Sequence, residues 1–257
     1  MRALFAVAAG LGALILTHAA AALEGGRSAA GNAAEPATVA VEAATPVAAG
    51  TRFSHCTGVL AAPDLVLTAA HCVDGVAAAE TAVFRFRAGH AVPPPLRVAA
   101  IVRDPAAAAH WGTRVHGIAA RQEAIAADLA LLRLAAPFGV RPLRVAGGHD
   151  GALRLLAAGA SGPRREASGV LAEAALGRLR RTTTGHPLVF ATPDGARVCP
   201  GDSGAPVVAS GPGGPTLWGI VGAVIPERDG CARRVIIVPL AGNSALPALI
   251  AAARQSR

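Results

Sequence analysis

The sequence predicts an all-β protein, a barrel or a sandwich, on two observations. Its apolar segments are short and are separated by Gly, Pro, Asp and Arg residues. Several of them alternate with period two, most clearly in residues 83–87 (Val-Phe-Arg-Phe-Arg), as strands with one buried face do. Many short strands with frequent turn residues are typical of β-barrels and β-sandwiches.

The predicted strands follow from these apolar segments. In chain order they are residues 38–42, 57–60, 65–69, 83–87, 98–102, 129–134, 153–157, 188–191, 206–209, 217–224 and 235–238. Residues 135–142 contain two prolines and a glycine, which indicates a linker between two groups of strands.

A helix is predicted at the end of the chain. Asn243 or Ser244 is suited to cap it, because short polar side chains satisfy free N–H groups at a helix start. Residues 245–254 then place Leu246, Leu249 and Ile250 on one apolar face.

Composition argues against nucleic-acid binding. The 24 basic residues are all arginines, and against 16 acidic residues they give a formal charge of +8. The arginines are scattered and aromatic residues make up only 3%, whereas nucleic-acid sites combine clustered charge with stacking aromatics. The charge therefore predicts a basic, solvated surface and no nucleic-acid partner.

The first residues have the layout of a secretory signal peptide, predicted to end at residue 22. A short positive region (Met1-Arg2) precedes the apolar residues 3–16, and small residues follow at 19–22. This apolar segment is short for a transmembrane helix, although an uncleaved membrane anchor is the alternative. We expect a secreted or periplasmic protein with no stable membrane association after cleavage.

The cysteine count also bears on structure. An even number of cysteines in an exported chain favours disulfides; here they are Cys56, Cys72, Cys199 and Cys231. Of three possible connectivities we favour the two local pairs, 56–72 and 199–231, each worth ~3–4 kcal/mol in the chain-entropy model. A zinc set built from His55-Cys56 and His71-Cys72 is the alternative, but common zinc spacings are absent, so no metal is expected.

Three segments carry residue types suited to nucleophilic catalysis. Residues 65–72 (LVLTAAHC) end a predicted strand on His71, and residues 128–134 (DLALLRL) place Asp128 ahead of another. Residues 199–206 (CPGDSGAP) flank Ser203 with glycines. A serine hydroxyl becomes a useful nucleophile only beside a base, and each segment alone is weak evidence of such a site.

Taken together, the TAAHC, DLALL and GDSGAP blocks closely resemble the trypsin/chymotrypsin family, in the family's order of His, Asp and Ser. The resemblance implies two six-stranded antiparallel Greek-key barrels with a C-terminal helix. It implies one protease domain over residues 23–257, with barrel 1 at about 23–135, barrel 2 at about 143–240 and the helix at about 244–254. It also implies a monomer that acts on peptides or proteins and needs no cofactor.

The same resemblance assigns the catalytic roles. His71 is the general base, Asp128 orients it and Ser203 is the nucleophile, while the N–H groups of Gly201 and Ser203 form the oxyanion hole. Ala205, two residues after the serine, departs from the nucleophile elbow of α/β-hydrolases. The alternatives are an inactive binding protein on the same fold and a basic envelope protein that binds anionic polymers.

An activation mechanism is also implied. Leu23-Glu24-Gly25-Gly26 resembles the segment whose freed α-ammonium pairs with the Asp beside the nucleophile, here Asp202. Ala20 and Ala22 suit positions −3 and −1 of a signal peptidase site, so export itself would free Leu23. Glu24 departs from the apolar residue usual at the second position.

The specificity residues depart from trypsin. The base of the primary pocket aligns with Arg197, where trypsin-type enzymes carry Asp, and an arginine would repel basic substrates. It would favour an acidic residue, or point outward and leave an apolar pocket. The substrate-pairing strand aligns with Gly222, Ala223 and Val224, and a β-branched Val224 would narrow the pocket.

Overall fold

The computed structural model describes residues 22–48, 50–104, 107, 117–149, 151–161, 166–182, 185–224, 227 and 230–256. The predicted signal peptide lies outside the described residues, apart from Ala22. The strands are β1 (Arg27–Ser28), β2 (Thr38–Val47), β3 (Gly50–Ala62), β4 (Leu65–Thr68), β5 (Thr81–Arg87), β6 (His90–Arg103), β7 (Ala130–Leu134), β8 (Arg144–Val145), β9 (Leu153–Ala157), β10 (Ala160–Ser161), β11 (Glu166–Ala167), β12 (Ala172–Arg181), β13 (Val189–Pro193), β14 (Pro206–Ala209), β15 (Thr216–Val224) and β16 (Val235–Pro239). Helix α1 spans Ile118–Ala126 and helix α2 spans Ala245–Gln255.

The first barrel is a closed antiparallel sheet with the strand order β2-β3-β4-β7-β6-β5. Strand β5 alternates at its start, where Thr81 and Val83 are buried and Ala82 is partly exposed. A register shift between Val83 and Arg85 then brings Phe86 to the buried side. Strand β4 is buried along its whole length, because Leu65–Thr68 lies between β3 and β7.

The second barrel has the order β12-β13-β16-β15-β14-β9 and closes where β9 pairs with β12. Two short strands extend this sheet: β1 pairs with β12, and β8 pairs in parallel with β15. Two closed six-stranded barrels confirm the predicted fold class.

Besides the two-residue strands β1, β8, β10 and β11, two longer elements were not predicted. Strand β12 (Ala172–Arg181) is rich in alanine, leucine and arginine, which favour helices, yet its first residues alternate between buried and partly exposed positions. Pairing on both sides with β9 and β13 outweighs the weak local preference. Helix α1 consists mostly of residues that favour helices, but it has no strongly apolar face and buries only Ala124, so the apolar periodicity that reveals an amphipathic helix is missing.

The start of the domain belongs with the second barrel. Leu23 is fully buried among the core residues of that barrel, and β1 pairs with β12. The sequence-based boundary had grouped residues 23–28 with barrel 1, since order along the chain does not reveal such a crossing.

The C-terminal helix is confirmed. Asn243 provides the cap, since its Oδ1 accepts the N–H groups of Ala245 at 3.0 Å and Leu246 at 3.3 Å. Leu246 and Leu249 are buried, and the helix packs against β6 and β7. Helix α2 therefore returns the chain from the second barrel to the first. Within the part of the chain that the structure describes, neither helix has the length and apolar character needed to span a bilayer.

Candidate active site

His71 lies on a short 3₁₀ turn, Ala70–Val73, directly after strand β4. The next residue, Cys72, is disulfide-bonded to Cys56 on β3. The backbone oxygen of Cys72 also accepts a hydrogen bond from the Ser54 hydroxyl at 3.0 Å. The disulfide and this hydrogen bond both hold the turn against β3. In this position 27% of the His71 side chain is exposed.

Asp128 lies between helix α1 and strand β7 and is fully buried. Its N–H donates to the oxygen of Ile125 at 3.2 Å, so the end of α1 positions it. Its Oδ1 accepts the backbone N–H of His71 at 2.9 Å, and its Oδ2 lies 2.6 Å from His71 Nδ1. A carboxylate only accepts, so Nδ1 carries the proton and Nε2 is left as the basic nitrogen.

The pKa of His71 reflects opposing effects. Burial of the ring disfavours its charged form and lowers the pKa, whereas the charge of Asp128, its hydrogen bond and the charge of Asp74 raise it. The carboxylates prevail, and the pKa of His71 lies above the ordinary 6.5. The site therefore stabilises the imidazolium, which makes neutral His71 a stronger acceptor for a proton.

Ser203 lies in the loop before β14 of the second barrel and lines the same cavity as His71. Its backbone oxygen accepts the N–H of Thr57 on β3 at 2.9 Å and lies 3.9 Å from Cys72 Sγ. Residues of both barrels line one cavity of about 320 Å³, namely Phe53, Ser54, His55, Cys56, His71, Cys72, Pro200, Gly201 and Ser203. The predicted base, nucleophile and oxyanion glycine thus share one cleft, with Asp128 behind the ring.

Asp202, next to the serine, is fully buried. Its carboxylate accepts the N–H groups of Cys199 at 2.7 Å and Gly159 at 3.0 Å, and also that of Leu23. Burial raises the pKa of Asp202 to about 7, although these three hydrogen bonds lower it. The structure therefore places Leu23 against the carboxylate predicted to receive its amine.

Two glycines leave room for this arrangement. A Cβ on Gly204 would lie 2.3 Å from both the oxygen of Thr57 and Oγ1 of Thr68. A Cβ on Gly159 would lie 2.5 Å from Oδ1 of Asp202. Gly204 belongs to a motif, whereas Gly159 lies in none and sequence reasoning missed it.

Arg197 is engaged by acidic side chains. Its Nη1 lies 2.8 Å from Oε2 of Glu24, and its Nη2 lies 3.5 Å from Oε2 of Glu227. Its backbone N–H donates to the oxygen of Glu24 at 2.8 Å. Glu24 and Arg197, which both depart from the family pattern, therefore form an ion pair with each other.

The predicted substrate-pairing strand is the end of β15. Gly222 is buried, and a Cβ there would lie 2.8 Å from Val238 and 3.0 Å from Ile125. Ala223 and Val224 are partly exposed and pair with β16. The described lining of the cavity beside His71 includes neither this strand nor Arg197.

The four cysteines form the disulfides Cys56–Cys72 and Cys199–Cys231. The second links the residues before the nucleophile to the segment before β16. Cys56, His71 and Cys72 lie close enough to suggest a metal site, but their sulfurs are bonded to each other. The alternative zinc set would need thiolates, which the disulfides remove.

Comparison with known proteins identifies the family. The trypsin family model matches residues 24–240, while curated protein sequences yield no match. The active form of the Rv3671c protease from M. tuberculosis has a TM-score of 0.56 and 20% identity, covering 85% of this chain and 81% of that one. The scabies mite inactivated protease paralogue S-D1 has a TM-score of 0.63 and 16% identity, covering 91% and 98%. The inactive form of Rv3671c, a serine-to-alanine mutant, has a TM-score of 0.54 and 17% identity, covering 88% and 91%. These structural similarities show the fold, and the family model spans most of the chain, which therefore belongs to the trypsin family.

Proposed function

We propose that this chain is a serine endopeptidase. Ser203 Oγ attacks the carbonyl carbon of a peptide bond while His71 Nε2 takes its proton. His71 then protonates the leaving amine as the C–N bond breaks, which leaves an ester on Ser203. Water, deprotonated by His71, hydrolyses this ester and regenerates the serine.

The observation that carries the proposal is the buried carboxylate behind the imidazole. Asp128 makes two hydrogen bonds to His71, and the ring faces the cavity that Ser203 and Gly201 also line. A buried acid held this way stabilises the imidazolium formed during attack. The N–H groups of Gly201 and Ser203 would stabilise the oxyanion, each such donor being worth ~3–4 kcal/mol.

Labelling with a fluorophosphonate probe tests the proposal, because the probe phosphonylates an activated serine. We expect labelling of the wild type and none of Ser203→Ala or His71→Ala. Labelling that persists in Ser203→Ala would contradict the assignment of the nucleophile.

An inactive binding protein on the same fold is the second candidate. A structurally similar protein is described as an inactivated protease paralogue, so the fold can exist without activity. The labelling experiment separates the two, since a folded but unlabelled wild-type protein would favour binding. A basic envelope protein that binds anionic polymers would keep that binding in Ser203→Ala.

We further propose that export activates the enzyme. Cleavage after Ala22 would convert the Leu23 N–H, already bonded to Asp202, into an ammonium facing a buried carboxylate. Two disulfides support a secreted or periplasmic location. N-terminal sequencing of the exported protein should begin at Leu23, and a start at Ser28 or later would contradict this route.

The proposed specificity excludes substrates that carry a basic residue immediately before the cleaved peptide bond. Arg197 aligns with the position where trypsin-type enzymes carry a carboxylate, and Glu24 and Glu227 partly neutralise its guanidinium. Arg197 is therefore a poor anchor for acidic side chains as well. A peptide library should show cleavage after small or apolar residues, and preferred cleavage after Arg or Lys would contradict the proposal.

A further inference from the structure

The hydroxyl of Thr57 occupies a position that the motifs did not identify. Thr57 lies on strand β3 of the first barrel and is fully buried. Its Oγ1 accepts the N–H of Ala158 at 2.9 Å and donates to the oxygen of Gly201 at 3.2 Å. One side chain of the first barrel thus joins two segments of the second.

The acceptor is part of the loop that carries the nucleophile, residues 199–204, here called the nucleophile loop. Its Gly201–Asp202 peptide is held at both ends: Thr57 bonds the Gly201 oxygen, and the Asp202 N–H donates to Cys199 at 3.1 Å. A peptide fixed on both sides cannot rotate without losing a buried hydrogen bond. Its orientation in turn limits that of the neighbouring Gly201 N–H.

The backbone of Thr57 already joins the barrels without the hydroxyl. Its N–H donates to the oxygen of Ser203 at 2.9 Å, whereas its own oxygen accepts the hydroxyl of Thr68 in the first barrel at 2.7 Å. The contribution specific to the side chain is the link from Ala158 to Gly201.

We propose that Thr57 is a positioning residue for the oxyanion hole, its hydroxyl fixing the Gly201 end of the nucleophile loop. This inference rests on the proposed serine peptidase function. Thr57 does not touch the reacting atoms, so its removal should slow phosphonylation of Ser203 without changing the titration of His71.

The test uses the exported protein and a fluorophosphonate probe, whose phosphoryl oxygen enters the oxyanion hole. Thr57→Val removes the hydroxyl at nearly constant shape, and Thr57→Ser restores it. Thr38→Val is the matched control, because Thr38 is equally buried in the first barrel but its hydroxyl bonds Ala34 at 2.9 Å. Circular dichroism and urea unfolding measure the folded fraction of each variant.

For Thr57→Val we expect the maximal labelling rate to fall about tenfold to one hundredfold, the loss associated with unsatisfied buried groups. Probe affinity and the apparent pKa of the rate should stay unchanged. Thr57→Ser and Thr38→Val should remain within about threefold of the wild type.

Three results would overturn the inference while leaving the peptidase proposal intact. One is labelling of Thr57→Val at the rate of Thr38→Val, and another is a shifted apparent pKa, which would place the effect on His71. The third is failure of both Thr57→Val and Thr57→Ala to fold, which would make the hydroxyl a general stability element. Absence of labelling in the folded wild type would instead reject the proposed function.

Discussion

At the scale of single residues, the electrostatics of His71 depend on two carboxylates. Burial alone would weaken the ring as a base, but Asp128 and Asp74 more than compensate. Asp128 does so from a fully buried position and through two hydrogen bonds. Asp128 therefore fixes the tautomer of the base and also makes the largest contribution that raises its pKa.

The pH dependence of labelling follows from this balance. Only neutral His71 accepts the serine proton, so the rate should fall as pH drops through its raised pKa, with a midpoint above 6.5. Asp128→Asn should lower that midpoint and reduce the rate by about 10⁴-fold, the loss typical of such triads. Asp74→Asn should lower the midpoint and keep the plateau rate. A wild-type midpoint below 6.5 would contradict this account.

Gly204 should tolerate no side chain. Its φ of +77° is unfavourable for alanine, and the added Cβ would lie 2.3 Å from two oxygens. Gly204→Ala should therefore lower the free energy of unfolding by more than the ~1–2 kcal/mol that a left-handed residue costs. Gly147→Ala is the control, since nothing lies within 4 Å of a Cβ there. Urea unfolding of both variants measures the difference, and equal stabilities would refute the clash.

At the scale of elements, the sequence predicted what local patterns encode. The bounds of β9 and β14 were predicted to the residue, because each is a short apolar segment followed two residues later by a glycine. Strand β12 was missed because its pairing partners, not its composition, make it extended.

Site residues divide in the same way. His71 and Ser203 stand in recognisable motifs, whereas Gly159 and Thr57 do not. The roles of the latter two come from contacts across the molecule, 43 positions away for Gly159 and Asp202 and 144 for Thr57 and Gly201. Such contacts leave no periodicity or spacing in a single sequence.

The cap of helix α2 gives a prediction at this scale. Asn243 accepts two N–H groups at the helix start, whereas Ser244 makes no side-chain cap bond. Asn243→Ala should therefore cost about 1 kcal/mol of stability, and Ser244→Ala should be nearly neutral. Urea unfolding measures the stability of both variants. A larger loss of stability in Ser244→Ala than in Asn243→Ala would show that Asn243 is not the cap.

At the scale of the whole molecule, the N-terminal segment connects export to the catalytic centre. Leu23 is buried in the second barrel, and its N–H bonds Asp202, whose pKa burial raises to about 7. Before cleavage, the group that faces the carboxyl group of Asp202 is the backbone amide of Leu23. After cleavage at Ala22, it would be the α-ammonium of Leu23.

This difference predicts that the stability of the two forms depends differently on pH. In the uncleaved chain Asp202 is protonated when folded up to about pH 7 but ionises near 3.8 when unfolded. The folded state therefore binds more protons in this range, and stability falls as pH rises from about 4 to 7. In a chain that begins at Leu23, the ammonium favours the ionised carboxylate and should remove this fall.

Two chains carrying Ser203→Ala test this directly, one beginning at Ala19 and one at Leu23, with unfolding by urea measured from pH 4 to 8. The longer chain should lose stability relative to the shorter one as pH rises, and Asp202→Asn in the longer chain should abolish that loss. The Asn variant isolates the contribution of Asp202, because the longer chain and its Asn variant share every other titrating group. If the stability of the two chains changed with pH in parallel, the ionisation of Asp202 would not depend on whether Leu23 carries an amide or a free amine. That result would contradict the proposed link between export and the oxyanion hole.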